Sequence, residues 1–181
     1  MVLPGLTGRS AGASNVEIHF LSPATPTRNA DSPLPELATH KIGRLLVKNN
    51  GRVFRDEDWA RLKKIAEGNP DEDKIGAFGV GFYSLFSICD APAVESGDKV
   101  MGFFWKDGGD QLFVKQALVP LTEQERTGTQ WTSFSMELRE QTPMPSPSDF
   151  ARFLSTSLGF TASIRNISSA SYSLVLALLA R

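Results

Sequence analysis

Cysteine, histidine and any excess of one charge are scarce in this 181-residue chain. A single cysteine, Cys89, leaves no partner for an internal disulfide, and it reads as a small buried hydrophobe. Two well-separated histidines, His19 and His40, do not make a metal-ligand cluster. Nineteen Lys and Arg stand against twenty Asp and Glu, a formal net charge of −1. Without a basic face to neutralise phosphates, nucleic acid and anionic membrane surfaces are excluded as default partners. Long apolar runs are also missing: the longest, "LVLALLA" at 174–180, is too short to span a bilayer. The first residues lack the basic start and apolar core of a signal peptide. The expectation is an intracellular protein, cytoplasmic or nuclear.

What is present suits one globular domain with a core, since 41% of residues are hydrophobic and 22% charged. "NVEIHFL" at 15–21 has strand character, and the Pro/Thr/Ser/Asn-rich stretch 22–35 reads as a loop. "KIGRLLVKNNG" at 41–51 predicts a second strand breaking at an Asn-Asn-Gly turn. Asp56 is placed as the N-cap of a helix running to about Glu67, with Trp59, Leu62 and Ala66 on one face. A helix is expected over about 80–89, ending before Pro92. "VMGFFWK" and "QLFVKQALV" flank "DGGD" and predict a hairpin. "TQWTSFSMEL" is a further strand, and "SPSDFARFLSTSLG" a helix capped by Ser148 and ended by Gly159. Strands and helices in this order predict an α+β fold, helices covering one face of a largely antiparallel sheet.

The stretch with the most chemical content is "KIGAFGVGFYSLFSICD" at 74–90. Gly76, Gly79 and Gly81 crowd together immediately before a run of large apolar side chains. Glycine lets a loop turn its amide N–H groups inward, and the first turn of a helix has unpaired N–H groups and a positive dipole end. Together they make an anion cradle. The spacing is not the Walker A pattern, nor is it the dinucleotide fingerprint that follows a strand. Tight structural packing accounts equally well for a bare glycine cluster.

The wording of this stretch resembles the second glycine motif of the GHKL superfamily ATP-binding domain, shared by DNA gyrase, the ninety-kilodalton heat-shock chaperone, sensor histidine kinases and MutL. The chaperone's Ile-Gly-x-Phe-Gly-Val-Gly-Phe-Tyr-Ser order is matched here at 75–84. "LLVKNNGRVF" at 45–54 is similar to the first glycine motif, where an Asp-x-Gly carboxylate receives the adenine amino group. "RTGTQWTSFSMEL" at 126–138 is similar to the late Gly-Thr motif on a strand beside the base. The three occur in the family's order and, with the first strand, span 16–138. The intervening residues resemble sacsin-like and uncharacterised fungal members most. The resemblance implies a Bergerat-type ATP-binding fold: a two-layer sandwich with a mixed, mostly antiparallel sheet and helices on one face.

There are two departures from the pattern. Family members begin with a helix carrying a Glu, which activates water, and four residues later an Asn, which holds Mg²⁺. Before "SAGASNVEIHF", which resembles the turn that follows that helix, only "MVLPGLTGR" stands here. The fold is therefore expected to be incomplete at the N-terminus, by truncation, with 1–14 a disordered or non-native start, 15–142 the nucleotide-binding domain and 143–181 a helical, connecting segment. No catalytic residue and no metal ligand are assigned; Glu17 lies on the first strand. Secondly, the adenine-reading Asp falls at Asn49, whose carbonyl oxygen could still accept one hydrogen bond from the adenine amino group, without charge.

Carried over residue by residue, the resemblance implies Asn49 at the adenine and Gly51 beneath the base. Gly76, Gly79 and Gly81 would let phosphates lie on the backbone, with Phe78 and Val80 contributing only amides. Thr129 would sit near the base, and Lys74, in a lid-like segment, could touch a phosphate. The implied cofactor is ATP or ADP, Mg²⁺ being compatible but without its usual Asn. The implied partners are nucleotide, proteins or a larger parent chain. Three functions follow: a nucleotide-binding domain deficient in hydrolysis, an ATPase whose first helix is supplied elsewhere, or a nucleotide-free chaperone-like interaction or scaffold module.

Overall fold

The structure, a computed structural model, describes residues 12–22, 41–66, 82–106, 111–121, 123, 128–158 and 164–171. Among these, seven strands form one sheet: β1 Asn15–Leu21, β2 Lys41–Asn49, β3 Ala93–Ser96, β4 Lys99–Lys106, β5 Gln111–Leu118, β6 Thr132–Pro143 and β7 Asn166–Ser171. Their order is β5-β4-β3-β6-β2-β1-β7. Every pairing is antiparallel except β1 with β7, which run parallel. The sheet is thus mixed and mostly antiparallel, and the fold is α+β as the motif order predicts.

Side-chain alternation decides which face is buried. Val16, Ile18 and Phe20 of β1, Leu45 and Val47 of β2, Val94 of β3, Met101 and Phe103 of β4, and Phe134 and Met136 of β6 are buried. They share one core with Trp59 and Leu62 of α1 (Asp56–Ala66) and with Phe82 and Leu85. Phe150, Phe153 and Leu154 of α2 (Pro147–Leu158) pack against that core from the same side. The intervening β1 and β2 residues form the other face, where Glu17 meets His19 Nε2 at 2.9 Å and Lys48 at 3.7 Å.

Local chemistry accounts for the element ends. Gly12, at φ 64°, turns the chain into β1 in the left-handed region that glycine tolerates. The α1 cap is Arg55 rather than Asp56: the Arg55 carbonyl accepts from Trp59 N–H at 3.1 Å, while Asp58 Oδ2 accepts from Arg55 N–H at 3.0 Å. Asp58 reaching back satisfies a helix-end donor in the manner of a capping box. Asp56 is the first helical residue, favourably placed at the positive end of the dipole. Similarly α2 begins at Pro147, with the Ser146 carbonyl accepting from Phe150 N–H at 2.9 Å, so Ser146 caps it and Ser148 lies inside. Proline at the first helical position sacrifices only a donor that has no intrahelical partner. Gly159, expected to end the helix, lies outside the described residues.

The helix expected over 80–89 is shorter and tighter. Residues 82–83 are helical, and Ser84–Ser87 form a 3₁₀ turn. Ile88 and Cys89 N–H both donate to the Leu85 carbonyl at 3.1 Å, and Cys89 then bridges to Leu138 of β6. Pairing with the sheet ends the helix two residues before Pro92 can. The predicted hairpin is present as β4–β5, with Phe104 opposite Phe113 and their rings stacked at 6.0 Å. Among the described residues, no helix is long and apolar enough to cross a membrane.

Candidate functional site

One rung of the sheet departs from the apolar pattern. Asn49 of β2 pairs with Thr132 of β6, which pairs with Ser96 of β3. The rung two residues further in is Val47, Phe134 and Val94, all buried. On the core face of three adjacent strands, apolar side chains therefore give way to an amide and two hydroxyls. All three are buried, at 7%, 1% and 2% exposure for Asn49, Thr132 and Ser96. Burying polar groups is unfavourable unless they are hydrogen-bonded, so their partners define the site.

Ser96 Oγ and Thr132 Oγ1 are 2.6 Å apart, and Ser96 Oγ accepts from Phe54 N–H at 2.9 Å. The chain leaving β2 thus crosses from Asn49 to β3 before entering α1. Phe54 stacks edge-on against Trp59 at 5.2 Å, closing the apolar side. Gly51 is buried in this crossing, and its N–H donates to Asn49 Oδ1 at 3.1 Å. The bond closes an Asx turn. Positive φ occurs at Gly12 and Gly97 among the described residues, and not at Gly51.

Asn50, between them, faces the opposite way. Its Oδ1 accepts from Ser14 N–H at 3.0 Å and Asn15 N–H at 2.8 Å, while its Nδ2 donates to Ser14 Oγ at 3.0 Å. The Ser14 carbonyl accepts from Arg165 and Asn166 N–H at 2.8 and 3.1 Å. The Asn-Asn-Gly turn is therefore a junction: Asn49 serves the core rung, and Asn50 ties β2 to the starts of β1 and β7.

Two ion pairs fix the surroundings. Lys99 Nζ lies 2.6 Å from Asp56 Oδ1, joining β4 to the first turn of α1. The hydrogen bond from Lys99 holds the Asp56 carboxyl below the usual range. Arg139 donates through Nε and Nη2 to Asp90 Oδ1 at 3.0 and 2.6 Å, and through Nη2 to the Phe86 carbonyl at 3.1 Å. These bonds lower the Asp90 pKa and tie the 3₁₀ turn to β6. Cys89 is fully buried, and burial, reinforced by Asp90, pushes its thiol up to about 11. It is a packed hydrophobe and a poor nucleophile.

Of the residues singled out from sequence, Asn49 and Gly51 come together here. Thr129 is exposed and precedes β6; Thr132 is the threonine of that segment in the rung. Lys74, Gly76, Phe78, Gly79, Val80 and Gly81 lie outside the described residues. Glu17 lies on the face of β1 opposite the core, beside His19 and Lys48. Sequence reasoning missed Thr132 and Ser96. Thr132 was detectable because it stands in phase with Phe134 and Met136; Ser96 sits in a four-residue strand too short to show a phase.

The Sacsin domain model matches residues 10–108, from the turn before β1 through the β4–β5 connection and across the glycine stretch. Human sacsin is 33% identical over 101 residues, covering 55% of this chain but 2% of sacsin. The chaperone protein HtpG of Chlorobium phaeobacteroides is 34% identical over 97 residues, 51% of this chain and 15% of HtpG. The endoplasmin homolog of Dictyostelium discoideum is 39% identical over 51 residues, 28% of this chain and 7% of that protein. Among solved structures, the ATPase and transducer domains of DNA topoisomerase II from Balamuthia mandrillaris align over 76% of this chain and 35% of theirs, at 15% identity and a TM-score of 0.42. The chain thus spans a small part of each of these relatives. The GHKL-type likeness read from its glycine motifs is shared by the chaperone relatives, and the family model covers more than half of its residues: the chain belongs to the Sacsin domain family.

Proposed function

We propose that this chain is a nucleotide-binding domain of GHKL type, acting within or beside a larger chaperone-like assembly, with ATP or ADP as the ligands that its relatives imply. The carrying observation is the polar rung Asn49–Thr132–Ser96, built into an otherwise apolar core face at the Asn-Asn-Gly turn. Buried hydroxyls and an amide at the edge of a core are what a base pocket needs: apolar walls with a few convergent polar groups. The phosphate cradle falls to Gly76, Gly79 and Gly81, with Phe78 and Val80 contributing amides, Lys74 near the phosphates and Thr129 at the rim. Slow hydrolysis is the further part of this proposal, and turnover measurements test it.

Titration of the chain with ATP and ADP, with and without Mg²⁺, tests this reading. The expected result is weak binding, lost in Gly79→Val and Gly81→Val because a branched side chain would fill the space of the phosphates. Turnover is expected at background, since general-base assistance alone is worth about 10²–10⁴-fold. Binding unaffected by both glycine substitutions would place the nucleotide elsewhere. Rapid hydrolysis abolished by one carboxylate substitution would restore the ATPase reading.

A further inference from the structure

We infer that β5 is a dimerisation edge, at which two copies of this chain pair β5 to β5 in antiparallel sense about a two-fold axis through Val114.

The sheet order leaves β5 with β4 on one side and no described strand on the other. Alternate N–H and C=O groups of an edge strand point outward and can bond a further strand. Edges that resist such pairing carry proline, a bulge or very few residues. β5 has none of these: it contains no proline, and it pairs with β4 in unbroken register from Gln111–Lys106 to Leu118–Lys99. Apolar surface gathers at the same edge. Among the described residues, the exposed large apolar side chains are Tyr83, Phe104, Trp105 and Leu118, of which all but Tyr83 belong to the β4–β5 hairpin. Phe104 stacks on Phe113 on the outer face. Trp105, on the helix face, meets Phe86 at 5.5 Å, and Phe86 meets Tyr83 at 6.5 Å. Apolar surface on both sides of an unpaired strand edge marks a site for strand addition.

The side chains of β5 select a second copy as the occupant. Lys115 is its one charged residue. A two-fold axis normal to the sheet keeps each side chain on its own face, so the axis passes through a residue. Centred on Lys115, it would set ammonium against ammonium. Centred on Phe113 or Gln116, it would pair only 111–115 or 114–118. Centred on Val114, it pairs 111–117 and sets Lys115 opposite the partner's Phe113, twice over. Leu112 then faces the partner's Gln116 and Gln111 faces the partner's Ala117, with no like charges opposed. An ammonium against an aromatic ring is attractive, and the ring here is backed by Phe104. On the helix face, Leu118 comes diagonally beside the partner's Leu112. The strand is thus self-complementary, as a closed two-fold dimer requires.

Sedimentation velocity on the 181-residue chain, from about micromolar to about millimolar concentration, reads the association directly. The expected result is a reversible monomer–dimer equilibrium. Lys115→Glu, an exposed change, is expected to raise the dimer dissociation constant by about tenfold, because the cation–π contact is lost twice. Ser169→Glu, exposed on β7 at the far edge, is expected to leave it unchanged. The register has its own readout: an equimolar mixture of Gln111→Cys and Ala117→Cys chains, oxidised with copper phenanthroline, should give a disulfide-linked dimer that neither variant gives alone. A chain that sediments as a monomer throughout overturns the inference. So does a dimer that Lys115→Glu leaves intact in a variant whose melting temperature shows it folded, or cross-linking as ready in one cysteine variant alone as in the mixture. Should Lys115→Glu not fold, the cysteine mixture still decides the matter.

Discussion

Cys89 shows how position sets the chemistry of a residue. It donates weakly to the Leu85 carbonyl at 3.3 Å, beneath the 3₁₀ turn, in a site from which water is excluded. With its thiol raised to about 11, only about one molecule in a thousand carries a thiolate at pH 8. A disulfide reagent at that pH is expected to leave the folded chain unlabelled over minutes and to react at once after denaturation. Fast labelling of the folded protein would show that the turn opens readily. Asn49 is the complementary case: a neutral residue whose amide orientation is set by the N–H of Gly51.

At the scale of elements, the 3₁₀ turn Ser84–Ser87 hangs from β6 by Arg139, which reaches both Asp90 and the Phe86 carbonyl. In sequence, the glycine stretch immediately precedes this turn. The Asp90 pKa is lowered by its hydrogen bond to Arg139, so the folded state binds a proton less readily than the unfolded chain. The stabilisation is fully present above the unfolded carboxylate value of about 3.9 and is lost as pH falls through the lower folded value. Asp90→Asn is therefore expected to lower the melting temperature at neutral pH and to match the unsubstituted chain at strongly acid pH. Because both groups are exposed, added salt should narrow the neutral-pH difference. A difference that persists undiminished in acid would rule out ionisation as its source.

For the whole molecule, the sheet order places β6 and β2 in the middle and β5 and β7 at the edges. The interior strands bury Val47, Phe134 and Met136 beneath the helices, whereas β5 is largely exposed, Leu118 at 72%. Opening free energies follow burial and pairing. In the dilute monomer, amide hydrogen exchange is expected to be slowest in β6 and β2 and fastest in β5 and β7. Protection in β5 equal to that in β6 would indicate that the outer edge is covered in solution by a second chain. The polar rung lies on interior strands, so its amides are expected among the slowly exchanging ones.

Much of this architecture was legible in the residues. The bounds of β1, the β4–β5 hairpin and the core of α1 follow from alternation, a Gly-rich turn and an apolar stripe at helical spacing, which are local signals. Its α+β class follows from the order of strands and helices, and its family likeness from glycine motifs in order. Tertiary structure decided what depends on neighbours distant in sequence. β7 is serine-rich and has no alternation to announce it, and it becomes a strand only because β1 offers a free edge. The caps moved to Arg55 and Ser146, since an N-cap is defined by where backbone hydrogen bonding begins. Thr132 and Ser96 joined the site through register between β6 and β3, which no local pattern encodes. The polarity of Asn49 belongs to the same class: sequence determined that an amide stands there, and the N–H two residues on, held by a chain path that crosses to Ser96, decided which way it faces.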